Sequence, residues 1–446
     1  MLVITPHPDT FITEFFTLLK DSVRAWITTH KESMVMGDVN VSGSLESYVN
    51  YSNYSLRDEY CRIRSEGERA ETVIASLITL PPPADTDVIS QELLPFTSDA
   101  RSWTEALSPL RGREVFYANF ERMAHCLIPW IRSSSQSAVI ISENEIDYQH
   151  IGLPPDMTAV RFHDLRMRLY RNDFIEKHFP VFYSFCNTIK LMDSIIEPPR
   201  FSCICGCQVI GKIWAEICTA RGGDTVCYQQ GWPAFMHAGF RQLPYSHFLT
   251  WGEAFSVLLG EASPLTGFHA IGRLEPVDSQ GSHDAITFFM QAPVFVSSEE
   301  YHARFLKLVE ATAQRYPSRR IIVRPHPEYD DTARTSATAA THRNITIDTA
   351  PLTANTYRMT DIAVSMFSSC LVESAAFGCV PLMFNPTSGF EYPLLPEELK
   401  TRDEESFFDR LDDIMQHPGG RCATGHIQYS GKECLARFAA SIQSII

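Results

Sequence analysis

Two stretches of this chain combine residue types and spacing that could do chemistry: Arg324-Pro325-His326-Pro327, and further on Ser368-Ser369-Cys370-Leu371-Val372-Glu373. Each follows an apolar run, Arg320–Val323 before the first and Asp361–Phe367 before the second. A strand that gives way to a polar turn is where ligands bind in open α/β sheets. Arg324 can grip phosphate oxygens through paired donors, and His326 can donate a hydrogen bond or carry charge near neutral pH. Pro325 and Pro327 stiffen that turn. Ser368 and Ser369 open a helix, whose first backbone N–H groups suit an anion, and Glu373 one turn in could accept from ribose hydroxyls. Taken singly, a loop histidine and a serine helix cap are ordinary features. Together, at the ends of two strands in one half of the chain, they point to a phosphorylated ligand and to nucleotide chemistry.

A third segment, Tyr228-Gln229-Gln230-Gly231-Trp232-Pro233, follows the strand-like run Thr225–Tyr228. Its glycine lets backbone approach a ligand closely, which makes Gln230 and Gly231 binding candidates, with Gly272 of Ile271-Gly272-Arg273 beside them. A packed turn around Trp232 is the plain alternative. For acid–base work the candidates are Glu143 and Asp147, after the run Val139–Ile141, and Asp224 near the expected cleft. Such a carboxylate could deprotonate an acceptor hydroxyl or act as a nucleophile in a double displacement. A solvated acidic loop is the competing reading for each of them.

The elements that must position these residues are clearest in the C-terminal half. Asp284–Met290 reads as a buried strand. Ser297 with Glu300 fits a capping box for a helix carrying Tyr301, Phe305, Leu308, Val309 and Thr312, closed by Pro317. Strands at Ile321–Val323, Asn344–Asp348, Asp361–Phe367 and Val380–Phe384 alternate with helices ending near Tyr357 and Phe377, with Gly378 as the C′ residue. In the N-terminal half, Leu2–Ile4, Val115–Tyr117, Val139–Ile141, Phe201–Cys205 and Thr225–Tyr228 read as strands. Asp173–Ile196 and Ile213–Ala220 read as helices, and the polar stretch Val39–Asp58 as a loop or irregular insertion. Alternating strand and helix imply parallel sheets covered on both faces. The expected fold class is therefore α/β, two Rossmann-like domains facing a cleft, with residues 1–260 as the N-terminal, acceptor-side domain and 261–446 as the nucleotide-sugar domain. The boundary falls in the stretch Phe255–Ser282, thinned by Gly260, Pro264, Gly267 and Gly281.

Bulk properties bound the class. The 446 residues suffice for two or three domains, and 53 acidic against 38 basic residues give a net charge of −15, which argues against nucleic-acid binding. No apolar run is long enough to span a membrane and no secretory signal is evident, so the expectation is a cytoplasmic protein, with peripheral association at an inner membrane left open. The twelve cysteines read as reduced thiols. Cys203, Cys205 and Cys207 alternate as on one strand face, poor geometry for zinc, and no metal or cofactor is expected.

The order Gln-Gly-Trp-Pro, Trp251-Gly252, Ile271-Gly272-Arg273, Arg-Pro-His-Pro and Ser-Ser before a glutamate helix resembles GT-B glycosyltransferases of bacterial capsule and lipopolysaccharide biosynthesis. The polysialyltransferases and β-Kdo transferases are the nearest in flavour. The resemblance covers roughly residues 200–390. It implies that His326, Ser368 and Ser369 contact the CMP part of a donor and that a Kdo or sialic-acid-type sugar moves onto a growing surface glycan or glycolipid. A CMP-sugar carries one phosphate, which a histidine, an arginine and a helix start could neutralise, and no Asp-x-Asp motif stands at a suitable strand end, so the expectation is a metal-independent transfer. One departure is that the family's paired-acid-plus-glycine motif has no glycine in the Glu143–Asp147 segment. A CDP-glycerol-type polyol-phosphate transferase, a UDP-sugar epimerase and a non-catalytic glycan-binding protein are the alternative readings. Pro6-His7-Pro8-Asp9 resembles the opening of zinc-dependent sugar deacetylases, but Thr10 stands where their second acid is needed.

Overall fold

The computed structural model describes residues 9–30, 34–36, 38–53, 56–78, 100–119, 121–133, 138–142, 158–161, 178–231, 240–274, 281–291, 299–326, 332–386, 395–417, 430, 433–434, 436–437 and 440. The expected strand Leu2–Ile4, the capping residue Ser297 and the Pro6–Pro8 motif lie outside the described residues.

Two parallel sheets organise the chain. The first contains β3 (Glu114–Tyr117), β4 (Ala138–Ser142), β5 (Thr158–Arg161), β6 (Arg200–Ile204), β7 (Asp224–Tyr228), β8 (His247–Thr250) and β9 (Gly267–Ala270), in the order β5-β4-β3-β6-β7-β8-β9. A two-residue hairpin, β1 (Val35–Met36) and β2 (Val39–Asn40), precedes it. The second sheet contains β10 (Ala285–Phe289), β11 (Arg320–Arg324), β12 (Ile345–Ile347), β13 (Thr360–Ser365), β14 (Val380–Phe384) and β15 (Lys400–Thr401), in the order β12-β11-β10-β13-β14-β15. All pairings within both sheets are parallel. Each sheet thus starts in the middle, winds outward, then reverses, which is the doubly wound order with one switch point per sheet. Those switch points are β3/β6 and β10/β13.

The side-chain period of two explains why the strands read as continuous apolar runs. Phe116, Ile140, Ile204, Val226 and Tyr228 face one core, while Val115, Tyr117, Val139, Ile141, Phe201, Cys203 and Cys227 face another. The first core continues through Trp251, Ile271 and Leu274 into Phe288, Val323, Val364 and Leu382 of the second sheet, so the two domains share one apolar cluster. Because β9 pairs with β8, the crossover between the two sheets falls after Ala270, inside the expected boundary stretch Phe255–Ser282. Gly267 and Gly260 do not interrupt packing before it: Gly267 begins a strand and Gly260 sits inside a helix, both against aromatic or histidine rings.

The stretch Val39–Asp58 is not a loop. It contains helix α2 (Ser42–Asn53), after α1 (Asp9–His30) and before α3 (Arg57–Ser65), and residues 41–50 are buried throughout. Its polar composition hid it because its partners are polar too. They lie on a later helix, Val209–Ala220, which follows β6. The Lys212 ammonium, fully buried, donates to Ser47 Oγ (3.0 Å) and to the Arg241 carbonyl (3.1 Å). Glu216 accepts from the Ser44 backbone N–H (3.0 Å) and from its hydroxyl. Buried polar groups are tolerated when hydrogen-bonded, and here they fix the helix in place. Among the described residues, no helix is long and apolar enough to cross a membrane.

Burial pushes the Glu216 carboxyl up to about 7 and lowers Lys212. The folded state therefore holds the Glu216 proton more tightly than the unfolded chain does. Its contribution to stability is full below about pH 4.5 and is lost as pH rises to about 7. Glu216→Gln should flatten the fall in melting temperature across that window, and an unchanged slope would place the titration elsewhere. Gly206 has φ +84°, and an added β-carbon would stand 2.6 Å from the Phe248 ring. Gly206→Ala should therefore cost about 2–4 kcal/mol in chemical denaturation; a loss under half of that would mean the turn yields.

Candidate functional site

The second sheet places the first candidates. β11 and β13 flank β10, and their carboxyl ends are tied to it: the Met290 N–H donates to the Arg324 carbonyl (2.9 Å), and Ser365 Oγ to the Phe289 carbonyl (2.7 Å). The His326 turn follows β11 and the Ser368-Ser369 turn follows β13, so the two stand on either side of β10 at the switch point. Pro327, next to the half-buried His326, lies outside the described residues. The serine turn leads into a short helix, Cys370–Ala376, and the Cys370 N–H donates to Ser368 Oγ (3.2 Å).

Arg324 does not reach outward as expected for a phosphate ligand. It is buried, with Nη1 paired to Asp348 and Nη2 donating to the Ala350 carbonyl. Asp348 also accepts from the Ala350 N–H (3.0 Å), so the pair shapes the turn after β12. A buried guanidinium needs a carboxylate, and the closest one belongs to the protein.

Glu373 is likewise engaged. Ser369 Oγ donates to its Oε1 (3.0 Å), the Tyr357 hydroxyl donates to Oε2 (3.1 Å), and the Arg273 guanidinium lies 2.9 Å from Oε2. Burial, with Cys370 and Glu373 nearby, pushes the Tyr357 phenol well above its ordinary value, which keeps it a donor. Arg273 also lies over the Trp251 ring, 5.8 Å from its centroid.

The first domain supplies the facing wall. Gln229, nearly inaccessible, accepts from the Trp251 N–H (2.9 Å) through Oε1 and donates through Nε2 to the Gly231 carbonyl (3.1 Å). This brace carries Gln230 and Gly231 past the end of β7 toward the other domain. A β-carbon at Gly231 would stand 3.7 Å from Ser369 Oγ. The linker is fixed beneath: the Tyr228 hydroxyl donates to the Gly272 carbonyl (3.4 Å) and accepts from the Leu274 N–H (3.0 Å), with Gly272 at φ +94°. Gly272 therefore serves the linker's left-handed turn.

Asp224 opens β7 at its amino end, in register with Arg200, whereas Gly231 lies past the carboxyl end of the same strand. Four steps of extended chain put it about 13 Å from that edge, so Asp224 is not beside the cleft; a strand's first residue and its last cannot share an edge. Glu143 and Asp147 lie outside the described residues; the chain leaves β4 for them at the carboxyl edge, after Ser142. Cys205 has turned out of the strand, at φ +85°, with its Sγ 3.2 Å from that of Cys207. Among the described residues, no group of three His, Cys, Asp or Glu side chains is placed to hold a metal ion.

The site thus brings together His326, Ser368, Ser369, Gln230 and Gly231, and adds Gln229, Trp251, Arg273 and Tyr357. In the Ile271-Gly272-Arg273 motif the sequence singles out only Gly272, although Arg273 stands in it; nothing local marks Tyr357, which meets Glu373 only through packing.

No protein-family model matches this chain, and no curated protein matches it. Solved structures do. A candidate UDP-N-acetylglucosamine 2-epimerase from Listeria monocytogenes is similar with a TM-score of 0.53 at 13% identity, over 75% of this chain and 96% of that one. UDP-GlcNAc 2-epimerase from Methanocaldococcus jannaschii gives 0.52 at 11% identity, over 75% and 100%. The Neisseria meningitidis UDP-GlcNAc 2-epimerase bound to UDP-GlcNAc gives 0.51 at 9%, over 74% and 100%. At such identities the likeness establishes the fold, two Rossmann-like domains of the GT-B type.

Arg324→Met should lower the stability of the ligand-free protein by about 2–3 kcal/mol, because it strands Asp348. Unchanged ligand-free melting combined with lost nucleotide binding would return Arg324 to the ligand.

Proposed function

We propose that the chain is a glycosyltransferase that binds a nucleotide sugar at the carboxyl edge of its C-terminal sheet and passes the sugar to a glycan or glycolipid held against the N-terminal domain. The observation that carries this reading is the meeting of the Gly231 turn with Ser369, beside the turn that bears His326, at the switch point of a doubly wound sheet. A two-domain fold with that crevice suits a donor lying on one domain and an acceptor on the other.

The preferred donor is a CMP-linked keto-acid sugar, Kdo or a sialic acid. The leaving group of such a donor, CMP, carries one phosphate, and one phosphate asks for little neutralisation. With Arg324 engaged by Asp348, that task falls to His326, charged or as a hydrogen-bond donor, beside the Ser368 turn. The reading assigns no metal to this step. An acceptor hydroxyl needs a base, and the acidic segment with Glu143 and Asp147 leaves β4 at the correct edge for that role, which Asp224 does not.

The test is a thermal-shift titration with CMP, CDP, UDP and GDP on wild type and His326→Ala. A ligand that binds only the folded state at a hundred times its Kd stabilises by about 2.7 kcal/mol. A response to CMP or CDP that the variant loses is the expected outcome. A response to UDP alone would move the assignment to a UDP-sugar enzyme, and silence from all four would overturn it.

A further inference from the structure

Ser369 has a fixed hydrogen-bond polarity. A serine hydroxyl carries one proton and two lone pairs. Here that proton is directed inward, to Glu373 Oε1 at 3.0 Å. The Glu373 carboxylate is buried and oriented from behind, because the Tyr357 hydroxyl and the Arg273 guanidinium both address Oε2, leaving Oε1 to the serine. Arg273 is itself held on two sides: its guanidinium lies over the Trp251 ring of the first domain, and its backbone pairs with Ser430. The outward side of Ser369, next to Gly231, therefore presents lone pairs. A phosphate oxygen, itself an acceptor, would meet them without a proton between.

We propose that Ser369 is a specificity-determining residue that accepts a hydrogen bond from a hydroxyl group of the ligand, with Glu373 and Arg273 as positioning residues that set its polarity. This inference rests on the nucleotide-sugar reading and reverses the phosphate role that its place at a helix start suggests. Two hydroxyl sources share the chemistry, the ribose of the nucleotide and the sugar being transferred.

Glu373→Gln discriminates sharply. Tyr357 donates to the Oε2 position and the positive charge of Arg273 lies 2.9 Å from it, so the amide oxygen settles there and the NH2 group faces Ser369. Ser369 must then accept from the amide and donate outward, which inverts its polarity without removing an atom from the site. Calorimetric titration would compare wild type, Glu373→Gln and Ser369→Ala. The probes are whichever nucleotide responds in the thermal-shift panel, its 2′,3′-dideoxy form, and the matching nucleotide sugar, CMP-sialic acid or UDP-GlcNAc. Loss of one such hydrogen bond is read as about a ten-fold rise in Kd.

If the hydroxyl is the ribose's, both variants bind the ribonucleotide about ten-fold more weakly while the dideoxy form is unaffected, and wild type alone distinguishes the two. If it is the transferred sugar's, the variants weaken only the nucleotide sugar. Equal losses for every probe would show a merely structural role and overturn the inference, as would Glu373→Gln binding the nucleotide more tightly, the mark of a serine that donates to phosphate, or binding both the nucleotide and the nucleotide sugar as wild type does. Should Glu373→Gln fail to fold, the selectivity of Ser369→Ala between ribo and dideoxy forms, and between nucleotide and nucleotide sugar, decides the matter. No response of wild type to any nucleotide overturns the nucleotide reading and this inference together; a response without selectivity overturns this inference alone.

Discussion

The contact on which this architecture depends is the anchoring of the interdomain linker by the Tyr228 hydroxyl, which takes the Leu274 N–H and gives its proton to the Gly272 carbonyl. Tyr228 ends β7, so one phenol couples the last residue of a core strand to the chain entering the second domain. The phenol is fully enclosed, and its proton is held well above the ordinary tyrosine range by burial, so it stays neutral and able to donate. With the linker fixed there, Arg273 touches both Trp251 of the first domain and Glu373 of the second. The apolar cluster that runs through Ile271 and Leu274 into both sheets covers these polar bonds and strengthens them by excluding water.

Burial also decides which motif residues are available to a ligand. Arg324 and Glu373 carry the charges that made their motifs conspicuous, yet both lie below the surface, where an uncompensated charge is costly. Each has found an internal counter-charge, Asp348 for one and Arg273 for the other. The charged residues therefore shape the turns, while His326 and the serines are what the turns display. A motif of this kind works through its least conspicuous members.

The same rule operates in the helical layer of the first domain. Helix α2 turns Ser44 and Ser47 to the interior, and the interior answers with Glu216 for one and Lys212 for the other. Such a cluster depends on its members' protonation, as the raised carboxyl of Glu216 and the lowered ammonium of Lys212 indicate. It gives the domain a pH-sensitive layer on the sheet face away from the apolar cluster shared by the two domains.

The sequence by itself determined the apolar central strands, the parallel doubly wound class and the two turns at strand ends. These follow from local periodicity and from the need to bury both faces of a parallel sheet. It did not determine the outer strands Thr158–Arg161, His247–Thr250, Gly267–Ala270 and Lys400–Thr401. Val139–Ile141, Ile321–Val323 and Val380–Phe384 are legible because every residue in them is apolar. The tertiary structure alone decided whether Asp224 lies at the cleft edge, that β9 belongs to the first domain, and that α2 is a helix in the core. It alone showed that Arg324 and Glu373 are held internally and that Ser369 faces Gly231. Each of these depends on partners distant in sequence: Lys212 for Ser47, Tyr357 and Arg273 for Glu373, and a sheet order that no local pattern encodes. Local spacing reports which residues could act; only the closure of long-range hydrogen bonds and ion pairs fixes which ones are left to do so.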